Sequence, residues 1–272
     1  MAAPFLRPDA VHSHTLWSGT VRLMKSPPRD AVTNMALDHA MLASAAESGE
    51  TLLRLYSWDR PSVSFGRNQR CEGIYSEARC AEAGIAAVRR PTGGRALLHA
   101  REVTYAVAAP TTAASTLRGG YEAINSLLLD ALTALGVPAT RATPAKRTPS
   151  PSLAPCFETP SAGELVVGQQ KLVGSAQRRE AAAFLQHGSI LLDDDQGLLQ
   201  SLALVPLPEV PPPATLRAFG LANADAVVAS IVRALRHATS GDIVVSDDSS
   251  LPDGQVRTAL SHYRDPHWTW RR

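Results

Sequence analysis

The sequence predicts an α+β fold gathered around one core. Two observations carry this. Short runs rich in β-branched and aromatic residues follow one another across glycine- and proline-bearing turns. Long helical patterns stand among them without the regular strand–helix alternation of a βαβ wind.

The elements follow in chain order. The segment 30–48, "DAVTNMALDHAMLASAAES", reads as a helix, with Asp30 or Thr33 placed to cap its start and Gly49 just past its end. At about 100° per residue, Met35, Met41, Leu42, Ala45 and Ala46 share a side, and Asp38 falls in the middle of it. A carboxylate on an apolar stripe needs hydrogen-bond donors, so a partnered structural role is expected for Asp38, with a role at the site as the other reading.

"TLLRLYSW" and "SVSFG", separated by "DRP", read as two strands around a turn. Residues 86–110 read as a strand, a glycine-rich loop and a strand on which Val103, Tyr105 and Val107 share a face. A helix is expected over 119–136, ended by Gly136 with Pro138 beyond it. Residues 141–155 form a Pro/Ser/Thr-rich loop. Two strands folded at Gly168-Gln169-Gln170 are expected in 163–179, and another in 182–192. "VPLPEVPPP" (205–213) is a linker or surface crossing, and helical patterns in 222–238 and about 252–263 close the chain.

Composition narrows the function. The 272 residues are 44% hydrophobic and 19% charged, as expected of a folded chain of enzyme size. With 27 basic and 25 acidic residues the net charge is +2, so no global field favours nucleic acid or an anionic membrane, and neither is expected as a partner. The N-terminus lacks a signal pattern and no stretch of about 18 apolar residues occurs, which points to the cytoplasm. Three cysteines at irregular spacing, without a CxxC, argue against a disulfide framework and against a metal site.

Several side chains could carry chemistry. "RRPTGGRALLH" sets Gly93 and Gly94 between Arg90 and Arg95, with His99 four residues further on. Paired glycines let backbone approach a ligand and arginines supply charge-assisted donors, although a plain turn would use the same residues. Lys171 opens the strand "KLVGSAQ", whose Gly174 and Ser175 also suit close approach. It is either a solvated lysine or a cation in a partly dry cleft. His187, followed by Gly188, is either a hydrogen-bonded core histidine or part of a site. Cys71 and Cys80 read as structural, and Cys156, in "SLAPCFETPSAGELVV", is by its spacing alone as well read as inert filler as nucleophile.

Taken together, "NMALDHAML", "LRLYSWDRPSVSFGRNQ", "RRPTGGRALLHAREVTYAV", "CFETPSAGELVVGQQKLVGSAQRR", "LQHGSILL" and "HYRDPHWTW" resemble the biotin/lipoate protein ligase and acyltransferase family, in the family's order and over most of residues 30–270. Within it, "CFETPS" resembles the cysteine context of the LipM-type octanoyltransferases, whereas lipoate ligases activate a free acid with ATP and need no such thiol. The resemblance implies a mixed, mainly antiparallel sheet flanked by helices, in one catalytic domain over 1–272 with its core at about 30–270. It implies that Cys156 accepts the acyl group, that Lys171 faces the thiol and the acyl carbonyl, and that Arg90, Gly93, Gly94, His99, Gly174, Ser175, His187 and Gly188 line the acyl site.

The implied reaction moves an octanoyl or lipoyl group from acyl carrier protein to a lysine of a lipoyl-accepting protein, either the glycine cleavage H protein or a lipoyl domain. No cofactor is implied; ATP and Mg belong to the ligase alternative, and a non-catalytic lipoyl-domain-binding module is the third reading. Arg178–Arg179 is a candidate contact for the acidic carrier, with two solvated arginines as the alternative.

Overall fold

The computed structural model describes residues 15–114, 116–143 and 163–271. Among the described residues, twelve strands and seven α-helices follow one another. The first half holds β1 (Val21–Lys25), α1 (Ala31–Ser48), β2 (Thr51–Tyr56), β3 (Ser62–Phe65), α2 (Glu77–Glu82), β4 (Ala86–Arg89), β5 (Leu97–His99), β6 (Glu102–Pro110) and α3 (Leu117–Ala134). The second holds β7 (Ala139–Arg141), β8 (Leu165–Val167), β9 (Gln170–Lys171), β10 (Val173–Arg179), β11 (Ala183–Leu191), α4 (Leu199–Leu202), α5 (Ala224–Ala238), β12 (Ile243–Ser246), α6 (Asp253–Arg264) and α7 (Pro266–Trp270).

A six-stranded sheet in the order β10-β11-β6-β2-β1-β12 is the centre of the fold. Its β10, β11, β6 and β2 pair antiparallel, while β2-β1 and β1-β12 pair parallel. Two three-stranded sheets accompany it: β4-β3-β5, with one parallel and one antiparallel pair, and the antiparallel β7-β8-β9. The α+β class and the mixed, mainly antiparallel pairing are therefore as the sequence and its resemblance imply.

Both faces of the large sheet are covered. On one, Val103, Tyr105 and Val107 of β6 pack with Ile124, Leu127 and Leu128 of α3 and with Val227, Ile231 and Leu235 of α5. On the other, Ala106 and Ala108 meet Met35, Met41 and Ala45 of α1, with Ala259 and Tyr263 of α6 behind. A strand buried on both faces reads as a continuous apolar run, and all nine residues of β6 are buried or nearly so.

The helices stop and start on local chemistry. The Asp30 carboxylate accepts from the Thr33 amide at 2.9 Å, so Asp30 is the cap of α1, and Gly49 at φ 73° returns its amide to the Ala45 carbonyl at 3.1 Å. Thr116 caps α3 by accepting from the Gly119 amide, which starts that helix two residues before the expected 119.

Three expectations change. β2 and β3 do not pair with each other; β2 lies between β1 and β6, and β3 between β4 and β5. Residues 163–179 form three strands: the β8-β9 hairpin turns at Gly168, and the chain then crosses to the large sheet as β10. β1, β5, β7, β12, α2, α4 and α7 are not among the expected elements, because strands this short and helices of four to six residues carry little periodicity. Residues 206–213 have no helix or strand, as expected of a surface crossing.

Candidate active site

The register of the large sheet sets the floor of a pocket. In β10 and β11, Gly174 faces Ser189, Ser175 faces Gly188 and Ala176 faces His187; on the other side of β11, Gly188 faces Tyr105 of β6. A Cβ on Gly188 would lie 2.3 Å from the Gly174 carbonyl oxygen and 2.8 Å from the Tyr105 ring, so only glycine lets these strands approach here. The small β4-β3-β5 sheet, the loop after β4 and α1 close the space. Arg90, Gly94, His99, Gly174, Ser175, His187 and Gly188 line this one cleft, together with Met35, Tyr56, Trp58, Ser64 and Leu97, around an empty volume of about 410 Å³ counted out to its open mouth.

Each histidine in the cleft is held by a carboxylate on one nitrogen and a hydroxyl on the other. His187 Nδ1 donates to Asp38 Oδ2 at 2.9 Å, and its Nε2 is 2.7 Å from Thr92 Oγ1. His99 Nδ1 donates to Glu102 Oε1 at 2.8 Å, and its Nε2 is 2.7 Å from Ser64 Oγ. An ionised carboxylate only accepts, so Nδ1 carries the hydrogen in both rings. Trp58 stacks on His99 with ring centres 3.9 Å apart and donates its Nε1–H to Thr104, which in turn donates to Glu102.

Asp38 takes both roles considered for it. It is fully buried, ion-paired with Arg54 at 3.0 Å, and accepts from the Tyr56 hydroxyl at 2.7 Å as well as from His187. Arg54, also fully buried, donates in addition to Asn34 Oδ1 at 2.8 Å and Ser26 Oγ at 2.7 Å. A buried charge needs several such partners to offset its desolvation.

The glycine-rich loop is shaped from within by its own arginine. Arg90 donates to the carbonyls of Ser64, Gly93 and Arg95 at 2.9, 2.9 and 2.8 Å. Gly94 takes φ 95°, and its carbonyl lies where a Cβ on Gly66 would meet it at 1.9 Å, so both positions require glycine. Gly93 is in the loop but does not line the cleft. The neighbouring Arg89 is a clamp: its guanidinium donates to the carbonyls of Gly66, Gln69, Thr269 and Arg271, tying the end of the chain to the loop after β3.

Lys171 is not a solvated lysine. Only 3% exposed, it pairs with the equally buried Glu164 at 2.9 Å. Lys171 lies on β9 rather than at the start of β10, and does not line the cleft directly. Burial pushes the Tyr105 phenol up to about 12, and its hydroxyl is 2.8 Å from Ser175 Oγ on the cleft wall.

Cys156 lies outside the described residues. Its segment leaves the described fold after Thr143 and rejoins it at Gly163, and these two ends are tied together. The Gly163 amide donates to the Ala142 carbonyl at 3.0 Å and the Ala142 amide to the Glu164 carbonyl at 2.7 Å. Both ends thus stand beside the Glu164–Lys171 pair.

Cys71 and Cys80 are buried free thiols, each pushed up to about 11 by burial, as a structural role requires. Cys71 does have a basic neighbour, Arg89 at 3.0 Å, but desolvation outweighs it. Sequence reasoning missed Trp58, Ser64, Thr92, Glu102 and Glu164. Of these, Glu102 carried a signal in its place three residues after His99, and Glu164 in its position at the foot of an apolar strand. Among the described residues, no helix is long and apolar enough to cross a membrane, and no group of three or more His, Cys, Asp or Glu side chains is arranged to hold a metal ion.

A mixed sheet with a glycine-loop cleft and two carboxylate-held histidines defines a class. The chain belongs to the lipoyl protein ligase A/B catalytic domain family, whose model matches residues 30–240. Among individual proteins, it is 41% identical over 195 residues to the octanoyltransferase LipM of Kyrpidia tusciae, covering 69% of this chain and 71% of that protein. It is 38% identical over 231 residues to the octanoyltransferase LipM of Symbiobacterium thermophilum, covering 81% and 82%. Solved structures share the fold at 20% identity. Lipoate-protein ligase A bound with ATP superposes with a TM-score of 0.75 over 93% of this chain and 98% of that one. A bi-partite lipoate protein ligase from Thermoplasma acidophilum gives 0.73 over 93% and 96%.

Proposed function

We propose that this protein is an octanoyltransferase of lipoate biosynthesis, acting as one catalytic domain with its core at about 30–270. It takes an octanoyl group from acyl carrier protein onto Cys156 as a thioester and passes it to a lysine of a lipoyl-accepting protein, the glycine cleavage H protein or a lipoyl domain. The observation that carries this reading is the likeness to octanoyltransferases LipM, at 36 to 41% identity over about two thirds or more of each chain. The cysteine in "CFETPS" supplies the nucleophile that such a transfer needs.

The steps balance without ATP. The Cys156 thiolate attacks the thioester carbonyl of the octanoyl carrier, and the tetrahedral intermediate expels the carrier's thiolate. The acceptor lysine, as a free amine, then attacks the Cys156 thioester; an amide forms, the Cys156 thiolate leaves, and the amine gives up one proton. No cofactor takes part. The ammonium of Lys171, held by Glu164 at the point where the cysteine segment joins the fold, favours the thiolate by its charge. Holding that ion pair opposes use of Lys171 as the proton acceptor. The imidazoles of His187 and His99, each with Nδ1–H engaged by a carboxylate, are better suited to accept the proton at Nε2 through the hydroxyl that each holds, Thr92 or Ser64. The main-chain amides of the Gly93–Gly94 loop are the candidate donors to the oxyanion.

Incubation with octanoyl-acyl carrier protein followed by intact-mass measurement tests this. One octanoyl adduct is expected, absent in Cys156→Ala, formed without ATP and discharged by an acceptor protein. Acylation of the acceptor that needs ATP and survives Cys156→Ala would overturn the proposal in favour of a ligase.

A further inference from the structure

Beside the catalytic cleft lies a second, larger pocket. Its walls come from α1 (His39, Ala40, Ala43), the loop after β3 (Arg67), β10 (Arg178), α6 (Gln255, Thr258, His262) and α7 (Trp268), around an empty volume of about 990 Å³ counted out to its open mouth. It continues the cleft along two elements. Met35 and Ala176 line the cleft, while His39, one helical turn on, and Arg178, two strand residues on, line the outer pocket. These steps are about 6 Å and 6.8 Å along the two axes.

Its polar lining is cationic and incompletely paired. Arg178 is bound to Glu180 at 2.6 Å, but the half-buried Arg67 guanidinium has no hydrogen-bond or carboxylate partner among the described residues, although the Arg67 carbonyl accepts from Arg271. His262 packs on Trp268 with ring centres 4.1 Å apart, and the Arg271 guanidinium covers the Trp268 ring at 3.8 Å. Gln255 donates to Glu47 at 2.8 Å, and its Oε1 is buried without a partner among the described residues. The His39 and His262 rings are both held below the ordinary histidine range, first by burial and then by the charges of Arg178 and, for His262, also Arg271.

We infer that this outer pocket binds a phosphate ester, with Arg67 and Arg178 as the charged donors and Trp268 as an apolar wall. Guanidinium groups match phosphate oxygens in charge and geometry. On the octanoyl-transfer reading, on which the choice of source rests, the phosphate is that of the carrier's 4′-phosphopantetheine arm. That arm joins a reacting thioester to amides and a phosphate in one extended chain, as the two adjoining pockets require. A nucleotide presents the same phosphate chemistry and is the competing source.

Calorimetric titration of the full chain distinguishes these. The probes are 4′-phosphopantetheine, phosphate-free pantetheine and ATP, each against wild type, Arg67→Gln, Arg178→Gln and Cys156→Ala. Expected are binding of 4′-phosphopantetheine at least tenfold tighter than pantetheine, collapse of that ratio toward one in Arg67→Gln, a reduced ratio in Arg178→Gln, and no change in Cys156→Ala. Thermal unfolding of Arg67→Gln should match wild type, since its side chain holds nothing else. Equal affinity for the two pantetheines, or a ratio unchanged by Arg67→Gln, would overturn the phosphate site. Arg67-dependent binding of ATP tighter than that of 4′-phosphopantetheine would overturn the arm as its occupant. Failure of the transfer reading appears separately, as loss of the Cys156 adduct with carrier while Arg67-dependent phosphate binding persists.

Discussion

Asp38 Oδ2 and His187 Nδ1 lie 2.9 Å apart although 149 residues separate them in the chain, and the same carboxylate carries the buried ion pair with Arg54. One side chain on α1 thus anchors β2 and orients an imidazole of the candidate cleft on β11. Asp38→Asn removes the nearer of two carboxylates beside Arg54, Asp248 at 3.5 Å being the other, and urea unfolding should report a loss of about 3 kcal/mol. His187→Gln leaves the Arg54 pair intact and should lower acyl transfer with a loss of stability below about 2 kcal/mol. Equal stability losses in the two variants would refute this division of roles.

The Lys171–Glu164 pair separates charge from packing. Lys171→Met removes the buried counter-charge of Glu164 and should cost about 3–5 kcal/mol, as should Glu164→Leu. The double variant should recover much of that stability, because two apolar side chains of similar size replace the pair, yet its rate of Cys156 acylation should stay low. Recovery of both stability and rate would remove Lys171 from the reaction.

Gly188→Ala places a methyl group 2.3 Å from the Gly174 carbonyl. Separation of β10 from β11 should follow, with a loss of about 1–3 kcal/mol in chemical denaturation and weaker protection of the amides of this strand pair from hydrogen exchange. Unchanged exchange would mean that the strands do not approach so closely.

The cysteines give a pH dependence. The thiols of Cys71 and Cys80 are raised from 9.0 to about 11 in the folded chain. Above about pH 9 the unfolded chain releases protons that the folded chain still holds, so their contribution to stability is complete below pH 9 and is lost as the pH rises toward 11. The buried Tyr75 and Tyr105, pushed from 10.0 to about 12, act in the same direction over a slightly higher range. In Cys156→Ser, a thiol reagent at pH 8 should label neither remaining cysteine until denaturant is added, whereas rapid labelling of the native variant would contradict their burial.

What the sequence determined by itself is what is local or carried by motif. Helix α1 was legible because Asp30, Gly49 and an apolar stripe act within a few turns of one another. The α+β class followed from strand and helix patterns, and the family from motifs kept in order along the chain. Seven of the eight expected substrate-lining residues share one cleft because they sit on strands and one loop whose register holds them there. Tertiary structure alone decided who partners whom. That Arg90 turns inward to shape its loop while Arg89 clamps the chain end, that Lys171 is buried against Glu164, and that Asp38 holds His187 depend on contacts between distant segments. Local patterning records which residues leave water; it does not record which of them meet, because a buried charge finds its partner across the sheet.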